Sequence, residues 1–144
     1  MRVYIAGPMS GRPQFNYPAF AEMAKDLRKE VVNPGEHIIV TSPAELDSPS
    51  VQAWASISPD GVLPTGGPSH GTFLGRAVHT IIDGEFDAIV VLPEWWTSKG
   101  ARVEVMAGLV SGARICNVQH HYGGRSSLYE MTRGELLRGL EGGA

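Results

Sequence analysis

Residues 87–112 hold the feature that most constrains the fold: an apolar run, a loop and a helix in immediate succession, DAIVVLPEWWTSKGARVEVMAGLVSG. The run Ala88–Leu92 is dense in β-branched side chains and does not alternate, the pattern of a parallel strand covered on both faces. Pro93 stops the strand, and Gly100 opens a backbone path into the helix. Along that helix Val103, Met106, Ala107 and Val110 recur at helical spacing, which predicts that they face the sheet. At about 100° per residue, Glu104 falls on the flank of this stripe, in line with Gly100, Gly108 and Ser111. Two readings of Glu104 stay open here: a surface acid on an amphipathic helix, or an acid whose small neighbours leave room for a ligand.

The rest of the chain repeats the alternation. Arg2–Ala6 reads as a first strand, GPMSGRPQFNYP as the loop at its carboxyl end, and Pro18–Glu30 as a helix with Phe20, Met23, Ala24 and Leu27 on one face. VVNPGEH turns the chain into a second strand, HIIVTS, completing a βαβ unit. Residues 43–71 are rich in Pro, Ser and Gly and carry no sustained period, so they read as a loop or lid excursion with a short helix near Val51–Ser56. Thr72–Asp83 is a helix with Leu74, Ala77, Val78, Ile81 and Ile82 on one face; ARICNV is a further strand, HHYGGRSS a polar loop, and Leu128–Leu140 a final helix. The whole is expected to form a single α/β domain over residues 1–144, a parallel sheet with helices on both faces. Its first and third strands are expected side by side at the centre, where the winding reverses and ligands of such sheets bind.

Composition narrows the function classes. A net charge of −3 gives no footprint for gripping a nucleic-acid polymer, though it is compatible with free nucleotides. No apolar run approaches a membrane span, and the apolar part of MRVYIAGPMSG is too short for a signal peptide, so a cytoplasmic protein is expected. The one cysteine, Cys116, reads as a small buried hydrophobe. No metal site is expected, because His120–His121 has no carboxylate or cysteine at ligand spacing, and no dinucleotide fingerprint or other cofactor motif is visible.

Two loops converge at the expected switch point. The first offers Gly7, Ser10, Gly11 and Arg12; the second offers Ser98, Lys99 and Gly100, with Thr97 beside them, just before a helix amino end that carries partial positive charge. Together they suit a phosphate, although either loop alone reads equally as a glycine turn beside solvated charge. Glu104 then lies roughly 6–9 Å along the helix from its amino end, the scale of the distance from a 5′-phosphate to the anomeric carbon of a ribose. A carboxylate there is placed to attack that carbon or to stabilise an oxocarbenium-like centre. Tyr4, near the carboxyl end of the adjacent strand, reads either as the residue that hydrogen-bonds and orients it or as a strand tyrosine whose ring packs. Trp95 and Trp96 are candidates for stacking a base, or for closing the core or an interface.

The combination VYIAGPMSG, NYPAF and the NP of Asn33–Pro34, followed by FDAIVVLPEWWTSKGARVEVMAGLVSG, resembles the nucleoside 2-deoxyribosyltransferase-like superfamily, in its short bacterial and phage branch. The match covers Val3–Pro34 and Phe86–Ile115. The resemblance implies a flavodoxin-like Rossmann variant in which Glu104 is the nucleophile that releases the base, Tyr4 its contact, and Ser98 and Gly100 border the sugar and phosphate. Relatives commonly carry an acid eight residues before the Asp of DAIVVL, where this chain has His79. His79 then either donates a hydrogen bond or relays a proton in the site, or sits on the helix flank paired with Asp83; Arg76 is the alternative functional residue of that helix.

The reading that follows is an N-glycosidase cleaving a (deoxy)nucleoside 5′-monophosphate, because Arg12 and Lys99 favour a charged 5′ end. Its alternatives are a nucleoside 2-deoxyribosyltransferase, a non-catalytic nucleotide-binding or sensor protein, and an NAD-type glycohydrolase. The expected partners are a small nucleotide or nucleoside and further copies of the chain; the resemblance implies a homo-oligomer, for which Leu128, Met131, Leu136, Leu137 and Leu140 offer a surface.

Overall fold

The computed structural model describes residues 1–29, 37–124 and 126–143. Five strands form one sheet in the order β2-β1-β3-β4-β5: β1 (Arg2–Ala6), β2 (Ile39–Thr41), β3 (Ala88–Val91), β4 (Arg114–His120) and β5 (Ser126–Glu130). Three pairings are parallel, β1 with β2, β1 with β3 and β3 with β4, and β5 runs antiparallel to β4 at the sheet edge. The expected α/β sheet is therefore present, with β1 and β3 adjacent and central. Helices α1 (Tyr17–Lys29), α2 (Pro43–Leu46), α3 (Pro49–Ser56), α4 (His70–Asp83), α5 (Lys99–Val110) and α6 (Arg133–Leu140), with short 3-10 turns at Pro13–Asn16 and Trp95–Thr97, complete the described elements. The turn expected over residues 31–37 lies, but for His37, outside the described residues, as does Glu30 at the expected end of α1.

Alternation along the buried strands divides the core in two. Val3 and Ile5 of β1, with Ala88 and Val90 of β3, pack against Phe20, Ala24 and Leu27 of α1. Tyr4 and Ala6, with Ile89 and Val91, face the other layer, where Ile81 of α4 and Ala101 and Val105 of α5 cover them. Cys116 is buried in the first of these layers, as expected, and burial raises its thiol pKa.

Helix α5 is turned the opposite way from the expected stripe. Ala101, Glu104, Val105 and Gly108 form its buried arc, whereas Val103, Met106 and Val110 are exposed, Val110 at 84%. The physical reason is the closeness of the helix to the sheet. A Cβ on Gly108 would overlap the side chain of Ile89, so only a chain of small residues seats here and the bulky ones point outward. Glu104 is consequently 7% exposed rather than on a flank.

The carboxyl-terminal segment departs from expectation too. Leu128 belongs to strand β5, not to a helix, and α6 begins only at Arg133, with Thr132 accepting from the Glu135 amide as its cap. Gly123 and Gly124, at φ 90° and 77°, turn the chain so that β5 pairs back on β4 from Cys116–Glu130 to His120–Ser126. No helix among the described residues is long and apolar enough to cross a membrane.

Gly108→Ala tests the seating of α5. Alanine gains about 1 kcal/mol of helix propensity, but its Cβ would overlap Ile89 Cγ1, at the upper end of the usual overpacking cost of about 3 kcal/mol, so the net effect is a loss of about 2 kcal/mol and a lower urea midpoint. A variant as stable as the parent would show that the helix is free to lift from the sheet.

Candidate active site

Glu104 and Tyr4 meet inside the second core layer. The Tyr4 phenol donates to Glu104 Oε2 at 2.6 Å, a buried bond between residues 100 apart in sequence. Burial pushes the Glu104 carboxyl up from its ordinary value to about 7, against the downward pull of the phenol donor. Tyr4 is raised well above its ordinary value, first by burial and then by the adjacent carboxylate, so it stays a phenol and a donor.

Both side chains line a cavity of about 510 Å³ above the carboxyl ends of β1 and β2 and beside the amino end of α5. Gly7 and Ser10 reach it from the β1 loop, and Ser98, Lys99 and Gly100 from the start of α5. Ser98 caps that helix, its hydroxyl accepting the Ala101 amide at 3.2 Å, which leaves its own hydrogen free to turn outward. The amides at the start of the helix have no intrahelical acceptor, so this rim suits an anion. Seven expected site residues thus converge: Tyr4, Gly7, Ser10, Ser98, Lys99, Gly100 and Glu104.

Five others do not. The Arg12 guanidinium is turned aside by an ion pair with Glu94 at 2.9 Å and a bond to Thr97 Oγ1 at 3.4 Å, and it does not line the cavity. Gly11 donates its amide to the Gly61 carbonyl instead of facing a ligand. Trp95 is buried in the core against Gly139 of α6, edge-on to Trp96 at 6.5 Å, and neither ring borders the cavity. The pair closes the core, so the stacking role is withdrawn. His79 is also corrected. Its side chain is 79% exposed and pairs with Asp83 one turn along at 3.0 Å, because α4 directs Phe73, Leu74, Arg76 and Ala77 to the cavity and position 79 away from it.

What the sequence did not disclose comes from residues 43–71. The short helix expected there is present as α3, with α2 before it, and Trp54, Ala55 and Leu63 form a cavity wall not foreseen from the sequence. Trp54 meets Phe15 edge-on at 5.3 Å, and Phe73 lines the same space, supplying the aromatic surface expected of the other tryptophans. Phe15 is presented by Gln14, Phe15 and Asn16, all left-handed at φ 50–59°. The strain is held by the Gln14 amide donating to Ser58 O at 2.7 Å, its side chain to Ser56 O at 2.9 Å, and Asn16 to Pro8 O at 2.9 Å. Gly61, at φ 68°, lets α3 and its loop close on the Arg12 backbone where any side chain would collide.

A second acid stands in the cavity. Asp47, between α2 and α3, is buried and accepts from the Tyr17 phenol and from the Arg76 guanidinium. The signal for it was slight: one aspartate in SPAELDSPS, a segment without period. No group of three or more His, Cys, Asp or Glu that could hold a metal ion occurs among the described residues.

The fold and cavity together define a parallel α/β domain with a buried acid beside an anion-ready helix end. The chain belongs to the family described as Domain of unknown function (DUF4406), which matches residues 1–117. No curated protein and no solved structure matches it.

The raised Glu104 pKa has a measurable sign. Between about 4.5 and about 7 the unfolded chain releases a proton that the folded chain keeps, so stability from this group is full below about 4.5 and falls as pH rises to about 7. Glu104→Gln removes this dependence. The stability of the variant relative to the parent should rise by roughly 3 kcal/mol between pH 4 and pH 8 in denaturant titrations. A difference that does not change with pH would mean that Glu104 is solvated in the fold.

Proposed function

We propose that the chain is an N-glycosidase acting on nucleoside 5′-monophosphates, with Glu104 as nucleophile. The observation that carries this reading is the buried Glu104 carboxyl, held by Tyr4, in a cavity that also reaches the amino end of its own helix. The resemblance of Val3–Pro34 and Phe86–Ile115 to the nucleoside 2-deoxyribosyltransferase-like superfamily supports it.

Ser10, Ser98, Lys99 and the first amides of α5 hold the 5′-phosphate, and Lys99 replaces Arg12 as its cation. The base lies against Phe15, Trp54 and Phe73. The glycosidic bond then breaks with its electron pair leaving on the base nitrogen, which takes a proton, while a Glu104 oxygen bonds to the anomeric carbon. Water cleaves the resulting ester and restores the carboxylate, giving free base and a sugar 5-phosphate. Tyr4 holds the attacking oxygen in line and is a positioning residue. A charged 5′ end distinguishes this reading from the deoxyribosyltransferase alternative, whose substrates carry a neutral 5′-hydroxyl. Glycosidic chemistry on NAD-type substrates would use the same acid and is separated from the first reading by the substrate panel.

Chromatography of a panel of ribo- and deoxynucleotides should reveal free base, and Glu104→Gln should release it at least about a hundredfold more slowly. If the variant matches the parent, Glu104 is not the nucleophile.

The nucleophile must be ionised, so base release should climb with pH through about 7 and then level off. A rate that falls over the same range would assign Glu104 to proton donation instead.

A further inference from the structure

The glycosidic step at Glu104 leaves one feature of the cavity unused: the Asp47–Arg76–Tyr17 cluster. Asp47 Oδ2 accepts from the Tyr17 phenol and Oδ1 from Arg76 Nη2, and all three residues line the cavity with Tyr4 and Glu104. The cluster lies within electrostatic reach of the Tyr4 phenol, whose ionisation Arg76 favours and Asp47 opposes. The cluster and the Tyr4–Glu104 pair thus face one shared space. Burial pushes the Tyr17 phenol pKa upward, reinforced by its bond to Asp47, so Tyr17 too remains a donor.

An aspartate buried only to hold a fold is a poor investment in stability, since apolar packing of similar volume does as well or better. A carboxylate offers about four acceptor sites and Asp47 uses two of them on protein donors. Arg76 has five N–H donors, of which one is directed to Asp47, and its guanidinium is braced over the Phe73 ring at 5.6 Å. The cluster thus presents spare acceptors and spare donors side by side. Ligand groups that both give and take hydrogen bonds, and that sit one or two bonds from an anomeric carbon, are the ring hydroxyls of a sugar. The aromatic surface of Phe15, Trp54 and Phe73 is the apolar face, suited to the base instead.

We propose that Asp47, steadied by Tyr17 and Arg76, accepts the 2′-hydroxyl of a ribose, and that the cavity thereby selects ribonucleotides over 2′-deoxyribonucleotides. This rests on the reading of the cavity as a nucleotide site and names its sugar. A 2′-deoxy sugar covers Asp47 without supplying a donor, and an acceptor buried unpaired weakens binding by about tenfold or more.

Calorimetry with ribose 5-phosphate and 2-deoxyribose 5-phosphate, which differ by that one hydroxyl and carry no base, tests it on the full chain. The parent should bind the ribose form at least about tenfold more tightly, and Asp47→Asn should bring the ratio to within about threefold. A parent ratio within about threefold, tighter binding of the deoxy sugar, failure to bind either, or an unchanged ratio in Asp47→Asn each overturns the assignment. If Asp47→Asn does not fold, the parent ratio alone decides. Base release from ribo- and deoxyribonucleotides, measured in parallel, separates the two readings. Release without sugar preference keeps the glycosidase and overturns the role of Asp47, whereas sugar preference without release does the reverse.

Discussion

The bond from the Tyr4 phenol to the Glu104 carboxyl joins the central strand to the helix that packs on it. It forms only because α5 lies unusually close to the sheet, and the helix lies close only because its buried arc is Ala101, Glu104, Val105 and Gly108. Desolvation of the acid follows from the same seating, and with it the raised pKa. Packing and the raised pKa of the acid are therefore one arrangement here. Small residues bring the helix down, the acid is carried into the core with it, and the phenol satisfies the polar atom that would otherwise be stranded.

The other half of the cavity has a different origin. Helix α3 and the loop behind it are clipped to the β1 loop by backbone bonds from Gly11 to Gly61 and from Gln14 to Ser58. Those clips hold three consecutive left-handed residues that would relax if free, and so fix Phe15 against Trp54. One wall is thus regular secondary structure and the other a pinned excursion. The buried acid sits on the regular wall, and the aromatic pair Phe15–Trp54 sits on the pinned one.

Much of the sheet was legible because its signals are local. Ala88–Leu92 could be little but a covered strand, and the alternation with amphipathic segments led to β1 and β3 at the centre. The orientation of α5 was not legible, because periodicity ranks side chains by hydrophobicity, whereas the seating is decided by volume against Ile89. Val103, Met106 and Val110 form a convincing stripe that faces outward. Strand β5 was hidden for a related reason: Leu128 and Met131 extend the spacing of the true helix beyond its cap at Thr132. In the site, Gly7 and Ser10 on the β1 loop and Ser98, Lys99, Gly100 and Glu104 around the start of α5 were readable from their place at strand ends, whereas Gly11 and Arg12 on the same loop turn to Gly61 and Glu94 instead. Asp47, Tyr17 and Trp54 were not, since tertiary closure of an aperiodic segment brings them in. The two readings of His79, in the site or paired with Asp83 on the helix flank, could not be separated for the same reason, as one residue's rotation on a helix divides cavity from solvent.

Helix α5 carries both the amides of its first turn, beside the cavity, and the acid five residues on, from Lys99 to Glu104. A helix advances about 1.5 Å and turns about 100° with each residue, so it acts as a ruler and a protractor together. Lengthening the path between Gly100 and Glu104 by one residue would change reach by a bond length but swing the carboxyl out of the buried arc. The spacing therefore cannot be tuned gradually by insertion.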